Sequence, residues 1–305
     1  MQLPQARDFL VDHVGGGVSD VDYVGEGASS RCFGYVLGGD EYVVRFGRHV
    51  EDFERDRWAS RYASRDLLVP QVVEIGEAFG AWYAISTRAH GTPLEQLDAD
   101  AWAATMPSLL ATMDALRDVD ISATTGYGGW DRSGSAPDPS WRSFLAAVAD
   151  DPAGRRTHGW RQRLLDTPGG DRSFRHAHAR MLDLADAFPD ERYLVHNDLL
   201  NRNALAADGQ VTAVFDWGCS IYGDFLYELT TLVFWTPWYP VIDDSDVLSW
   251  ARAHYADIDL KVPDFDARIR CCALHIGLEH IGYNAFLGDL ETLRRTDERM
   301  SAFLD

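Results

Sequence analysis

Residues 194–217, LVHNDLLNRNALAADGQVTAVFDW, constrain this 305-residue chain more than any other stretch. Asp198, Asn203 and Asp216 lie within it, each beside an apolar run of strand length: 193–195, 204–206 and 211–215. Asp208-Gly209 separates the last two runs and is a hairpin-turn dipeptide. Short strands that bring two carboxylates and a carboxamide to one point predict a site of hard oxygen ligands. Such a set suits a magnesium ion and the activation of a hydroxyl nucleophile.

Upstream, 5–13 reads as an amphipathic helix ended by Gly15-Gly16-Gly17. The runs 21–25, 32–37 and 42–46 are rich in Val, Tyr and Phe and read as strands. Between the first two lies Gly25-Glu26-Gly27-Ala28-Ser29-Ser30. Glycines there let backbone N–H groups approach an anion, and serines add hydroxyl donors, although glycine-serine turns also occur for purely structural reasons. Gly25, Gly27, Ser29 and Ser30 are therefore phosphate-loop candidates. A helix over 51–64 and strands at 72–75 and 82–86 complete a small α+β lobe. Residues 87–91 lack strand character and read as a connector. The remainder is mainly helical, over 94–116, 141–148, 162–165, 174–188, 226–234, 247–255 and 265–287, while 126–139 reads as a surface loop rich in Gly, Pro, Ser and Asp. The expected division is residues 1–86, a hinge at 87–91, and 92–305.

The net charge of −20 disfavours nucleic acid and anionic lipid as partners. It favours cations, whether a metal ion or a cationic small molecule, or simply keeps the chain dispersed. Four cysteines without metal-ligand spacing predict neither a zinc site nor a disulfide framework. With no leader-like start and no long apolar span, a cytoplasmic monomer is expected.

His196-Asn197-Asp198, Asn203 and Asp216-Trp217-Gly218 resemble the HxDxxxxN and Asp-x-Gly motifs of kinase-fold enzymes. Gly223-Asp224-Phe225-Leu226-Tyr227-Glu228-Leu229 is similar to the GDxxYDL element of the aminoglycoside phosphotransferase (antibiotic kinase) family. GEGASSRCFGYVLGGDEYVVRF, FWTPWYP and RIRCCALHIGLEH are more similar still to the hygromycin B phosphotransferase group within it. The resemblance spans the chain from about residue 9 to its end. It implies an α+β, two-lobed protein-kinase-like fold, with a small β-rich N-terminal lobe and a larger, mostly helical C-terminal lobe.

The resemblance also implies roles. Asp198 would accept the proton of the attacking hydroxyl, and Asn203 and Asp216 would bind Mg²⁺ on the phosphates of ATP or GTP. Arg45 stands where kinase-fold enzymes carry a lysine and would clamp the phosphates. Its carboxylate partner would be Asp56, with Glu54 as the alternative. Ser86, Thr87 and Ala89 would hold adenine through the backbone, with Val43, Ile85 and Phe215 as apolar contacts. His196 and Asp224 would be structural, Asp224 holding the catalytic loop from behind. Leu200 replaces a protein-kinase lysine, which argues against a protein substrate.

For the acceptor, Asn201 and Arg202 lie beside Asp198 in the chain. Trp235 and Trp238 offer aromatic faces and Asp243 an acidic one. Glu279 and Tyr283 share a helix face with His275. Acidic and aromatic groups suit a cationic, hydroxyl-rich sugar. The expected function is ATP-dependent phosphorylation of a hydroxyl on an aminocyclitol antibiotic of the hygromycin B type, conferring resistance. The alternatives are a kinase of another small hydroxylated or cationic metabolite, and a nucleotide-binding regulatory protein.

Overall fold

Alternation along 42–46 organises the first of two compact units, formed by residues 1–115, 131–134 and 198–219. The computed structural model describes residues 1–27, 30–242 and 244–305. Side chains alternate across a strand. Val44 and Phe46 are therefore buried on one face of the sheet while Val43 and Arg45 project from the other. The sheet is antiparallel, in the order β1 (Val18–Glu26), β2 (Ser30–Leu37), β3 (Asp40–Gly47), β5 (Ala81–Thr87), β4 (Val72–Ala78). Its buried face holds Phe33, Tyr35, Val44, Phe46, Tyr83 and Ile85 against Ala6 and Leu10 of helix α1 (Leu3–Val14). Burying each large side chain contributes roughly 1.5–3 kcal/mol. Helix α2 (Val50–Ala59) lies between β3 and β4 in the chain and ends sooner than the sequence suggested, passing into a single 3₁₀ turn at Ser60–Tyr62.

The same unit contains a second small sheet, ordered β10 (Gln210–Val214), β9 (Ala204–Ala207), β6 (Thr92–Pro93). The connector lacks strand character over 88–91, as its composition predicts, and strands bound it on both sides. Thr87 closes β5 opposite Tyr42, and Thr92-Pro93 pairs with Ala206-Leu205. Gly91 allows this approach: its φ is +152°, and a Cβ there would meet Thr212 Oγ1 at 2.7 Å and Ala206 O at 2.9 Å. Helix α3 (Ala99–Arg117) follows.

The second unit comprises residues 116–130, 135–197 and 220–305. It is built around α9 (Phe265–Leu287), which is buried on nearly every side. A helix apolar all round needs neighbours all round. Here they are α5 (Trp160–Leu165), α6 (Arg172–Leu184), α7 (Leu226–Trp235) and α10 (Leu290–Ser301). Helix α10 lies beyond the last helix that the sequence predicts, at 265–287. Helices α4 (Trp141–Ala146) and α8 (Asp244–Asp257) complete the helical set. A three-stranded sheet is ordered β7 (Gly128–Gly129), β11 (Ile221–Gly223), β8 (Tyr193–Val195). The expected surface loop at 126–139 is therefore partly structural. It pairs through β7, and Trp130 is fully buried, stacked on Tyr222 with ring centroids 5.8 Å apart.

Candidate active site

Asp198, Asn201 and Asn203 are drawn together by a tight loop in the first unit, with Asn201 and Arg202 both in the left-handed region at φ +60° and +68°. Asn accepts that conformation more readily than most residues. The Asp198 carboxylate accepts from Asn201 Nδ2 at 2.7 Å and from Asn203 Nδ2 at 2.9 Å. Asn203 Nδ2 also donates to the Asp198 carbonyl at 2.9 Å. The amide nitrogen of Asn203 is thereby committed to Asp198, which orients its Oδ1 away as a hard oxygen donor. Burial pushes the Asp198 carboxyl up to about 7, Asp216 and Glu95 add to the rise, and the two asparagines oppose it. A carboxyl near neutrality has the basicity that proton acceptance from an alcohol requires.

Asp216 follows β10 with φ +91°, a conformation that must be held by its surroundings. Consecutive residues of α2 hold the turn that follows it. Arg55 donates to the Gly218 carbonyl, and Asp56 Oδ1 accepts from the Trp217 N–H at 2.8 Å. The other Asp56 oxygen pairs with Arg45. Asp56, not Glu54, is the partner of Arg45; Glu54 faces Arg132 at 3.4 Å. Arg45 Nη1 also reaches Asp216 Oδ2 at 3.7 Å. Asp52 was not singled out in the sequence, yet its Oδ1 and Asp216 Oδ1 flank Gly218, 3.4 and 3.5 Å from where a Cβ would stand.

The strand register arranges several candidate nucleotide residues. Arg45 pairs with Cys32 and Ala84, and Val43 with Gly34 and Ser86. Val43, Arg45, Ser86 and Cys32 thus share the face opposite α1. Ile85, expected beside the base, pairs with Val44 and is packed in the α1 core, so it lies on the other face. Burial pushes the Cys32 thiol up, Arg45 opposing and Asp216 reinforcing the rise. Gly25 lies in β1 opposite Cys32, Gly27 N–H donates to the Ser30 carbonyl at 2.9 Å, and Ser30 lines a recess with Arg45 and Asp216. Ser29 and Asp243 lie outside the described residues. Thr87 and Ala89 stand at the end of β5 and just past it, and Phe215 donates its N–H to the Asn203 carbonyl at 2.9 Å. Leu200, in the place of a protein-kinase lysine, is buried, and Arg202 is exposed.

In the second unit, the expected work of Asp224 falls to a different residue. Glu228 Oε2 accepts from the backbone N–H groups of His196 at 2.6 Å and Asn197 at 3.0 Å, fixing the two residues that precede Asp198 in the chain. Asp224 instead caps α7 at the Leu226 N–H, 2.9 Å away, and pairs with buried Arg268 at 2.6 Å. His275 is a core residue: its Nδ1 lies 2.8 Å from Tyr227 Oη, and burial pushes it down to about 3. Glu279 and Tyr283 are exposed. Glu279 is nonetheless crowded by protein, which pushes its carboxyl up against the opposing charge of Arg155. Trp235 lies 5.0 Å from Trp238 and 4.5 Å from His280, and burial pushes His280 down to about 4. Arg295 covers a face of Trp238 at 4.8 Å.

The model of the phosphotransferase enzyme family matches residues 20–260. A hygromycin-B 4-O-kinase from Escherichia coli is 31% identical over 291 residues, covering 94% of this chain and 81% of that protein. The chain belongs to the phosphotransferase enzyme family. The crystal structure of aminoglycoside phosphotransferase APH(4)-Ia superposes with a TM-score of 0.86 at 29% identity, over 99% of this chain and 98% of that one. A thermostable mutant of APH(4)-Ia in ternary complex with AMP-PNP and hygromycin B gives a TM-score of 0.84 at 29% identity, over 97% of both chains. The protein-kinase-like fold and the transfer of a phosphoryl group to a hydroxyl follow for this phosphotransferase. No helix among its described residues is long and apolar enough to cross a membrane.

Proposed function

We propose that this phosphotransferase moves the γ-phosphoryl group of ATP to a hydroxyl of an aminocyclitol antibiotic of the hygromycin B type, conferring resistance. The observation that carries the reading is the Asp198 carboxylate, held by two asparagine amides and pushed up to about 7. Asp198 orients the acceptor hydroxyl and takes its proton as the oxygen attacks phosphorus. Arg45 presents its guanidinium to the nucleotide phosphates, its direction fixed by Asp56. Val43, Phe215, Ser86, Thr87 and Ala89 are assigned to the base, and Gly25, Gly27, Ser29 and Ser30 to the phosphates.

Asn203 and Asp216 are assigned to Mg²⁺. The fit is chemical: Asn203 has one amide oxygen left after its nitrogen is spent on Asp198, and the Asp216 carboxylate is 43% exposed. Among the described residues no group of three His, Cys, Asp or Glu could hold a metal ion. Magnesium does not need one, since it keeps waters and takes phosphate oxygens as ligands. When bound, the ion neutralises charge on the phosphates. Glu279, Tyr283, Trp235, Trp238, Asp243, Asn201 and Arg202 are assigned to the acceptor, whose ammonium groups match the carboxylates and whose sugar faces match the indoles. The reading places the protein as a cytoplasmic monomer, where ATP is supplied and the four free thiols stay reduced.

The test is ADP release and phosphoproduct formation across a panel of aminoglycosides with Mg-ATP, alongside growth of a susceptible bacterium expressing the gene. Hygromycin B should be phosphorylated and tolerated. Turnover of other small alcohols with no aminocyclitol accepted would leave a phosphotransferase and remove the antibiotic assignment.

A further inference from the structure

Arg88 stands between Thr87 and Ala89, whose backbone is assigned to the base, and its side chain has no part in the scheme above. Its N–H donates to the Glu41 carbonyl of β3 at 3.0 Å. The guanidinium lies further into the sheet. Nη1 and Nη2 donate to the two carboxylate oxygens of Asp22 in β1, at 2.7 and 2.9 Å. Gly34 of β2, opposite Asp22, makes room for this pair: a Cβ at residue 34 would collide with Arg88 Nη1 and Asp22 Oδ1 and would stand 2.8 Å from Arg88 Cζ. Gly34 has no left-handed φ, so its missing side chain serves space and not backbone conformation. The register sets Gly34 opposite Val43, and Val43 opposite Ser86. Opposed residues point to the same face, so the guanidinium is on the face that carries Val43, Ser86 and Arg45.

The guanidinium thus takes the place of the side chain that residue 34 lacks. Cβ atoms of directly opposed residues are about 5 Å apart, so the guanidinium and Val43 form one continuous surface. Arg45 is two residues from Val43 on the same face, roughly 7 Å along the strand. A nucleotide with its phosphates at Arg45 and its base against Val43 sets that base over the guanidinium. A guanidinium is planar, weakly hydrated and stacks on π-systems. Here its fork is spent on Asp22, which leaves the flat face for a ligand. The Arg88 side chain is 20% exposed, so a ligand can touch it, and Asp22 is 47% exposed, so the ion pair contributes little to stability. We propose that Arg88 is a nucleotide-binding residue whose guanidinium stacks on the base, and that Asp22 is the positioning residue that holds it over Gly34. The proposal deepens the assignment of Val43 and Ser86 to the base and rests on it.

The test is calorimetric binding of the ATP analogue AMP-PNP with Mg²⁺, which needs no acceptor and so does not depend on the antibiotic assignment. Arg88→Ala should weaken AMP-PNP about five- to thirtyfold, the range that stacking on a desolvated guanidinium supplies. Inorganic tripolyphosphate, which has no base, should bind wild type and Arg88→Ala within about twofold of each other. Asp22→Asn should weaken AMP-PNP by a smaller factor. Adding it to Arg88→Ala should change nothing further, because Asp22 acts only through Arg88. Unchanged AMP-PNP affinity in Arg88→Ala, an equal loss for tripolyphosphate, or losses that add in the double variant overturn the proposal. Val43→Trp, which fills the face beside the guanidinium, separates this failure from failure of the base assignment. Weakened AMP-PNP binding by Val43→Trp, with normal binding by Arg88→Ala, sinks the role of Arg88 alone. Normal binding by both variants sinks the base assignment and the proposal with it.

Discussion

Asp56 accepts the backbone N–H of Trp217 at 2.8 Å through one carboxylate oxygen, while its other oxygen holds the Arg45 guanidinium. One side chain on α2 thus positions Arg45 and the backbone that follows Asp216. Because Asp216 has φ +91°, its direction depends on such support.

Removing the Asp56 carboxylate should separate structural from catalytic loss. Asp56→Ala leaves the Trp217 N–H and the largely buried Arg45 unpaired, a cost of about 2–4 kcal/mol in urea unfolding. Asp56→Asn keeps an oxygen for Trp217 and loses the charge facing Arg45. It should unfold closer to wild type, yet raise the KM for ATP about tenfold, since a 1.4 kcal/mol loss is a factor of ten. Equal effects of the two variants on stability would show that the Trp217 contact contributes nothing.

Asp198→Asn should lower turnover about 10²–10⁴-fold, the usual contribution of a positioned base. Nucleotide affinity, read by calorimetry with an ATP analogue, should change little, because Arg45 and Asp56 are untouched. A variant that turns over at the wild-type rate would remove Asp198 from the role of base.

The same substitution makes a stability prediction of defined sign. Burial raises the folded-state pKa of Asp198 to about 7, above the unfolded value near 4. The fold therefore favours the protonated form. Stability associated with this group is fully present below about pH 4 and is lost as pH rises through about 7. Asp198→Asn should raise Tm by a few degrees at pH 8 and leave it unchanged near pH 4, in thermal melts of the nucleotide-free protein. A rise of the same size at both pH values would mean that the carboxylate's ionisation is not its cause.

Spacing made Asp198, Asn203 and Asp216 legible, because a short loop and a hairpin fix their relation locally. The Val, Tyr and Phe content of 42–46 likewise gave a strand, though not which face each residue takes. Ile85 was misplaced because the face of a strand residue depends on its register: opposite Val44 it joins the α1 core. Glu228 takes the role expected of Asp224 for a related reason. Both are acids on one short stretch, and only the long-range partners, the His196 and Asn197 amides for one and Arg268 for the other, tell them apart. Asp52, Arg55 and Glu95 carried no sequence signal, since an acid or arginine on a polar turn or helix is usually solvated. Helix α10 was missed because its single apolar stripe is thin, and burial against α9 supplies what its sequence lacks.

The pair of Asp224 and Arg268 yields a test of what holds the second unit together. Both side chains are almost wholly buried, and the guanidinium lies 5.3 Å from the Phe225 ring and 5.8 Å from Phe188. Burial raises the Asp224 carboxyl above its ordinary value even though Arg268 opposes the rise. Arg268→Met keeps the volume and leaves a buried carboxylate alone, at a cost of about 3–5 kcal/mol. Adding Asp224→Asn should return much of that, because the amide oxygen still caps α7 at the Leu226 N–H while the charge is gone. The sign with pH follows. Without Arg268 the Asp224 pKa rises further, so protonation relieves the variant as pH falls. The stability deficit of Arg268→Met should shrink between pH 8 and pH 5, measured by urea unfolding against wild type at each pH. A deficit that does not vary over that range would trace the loss to the packing of the guanidinium between the two rings instead of to its charge.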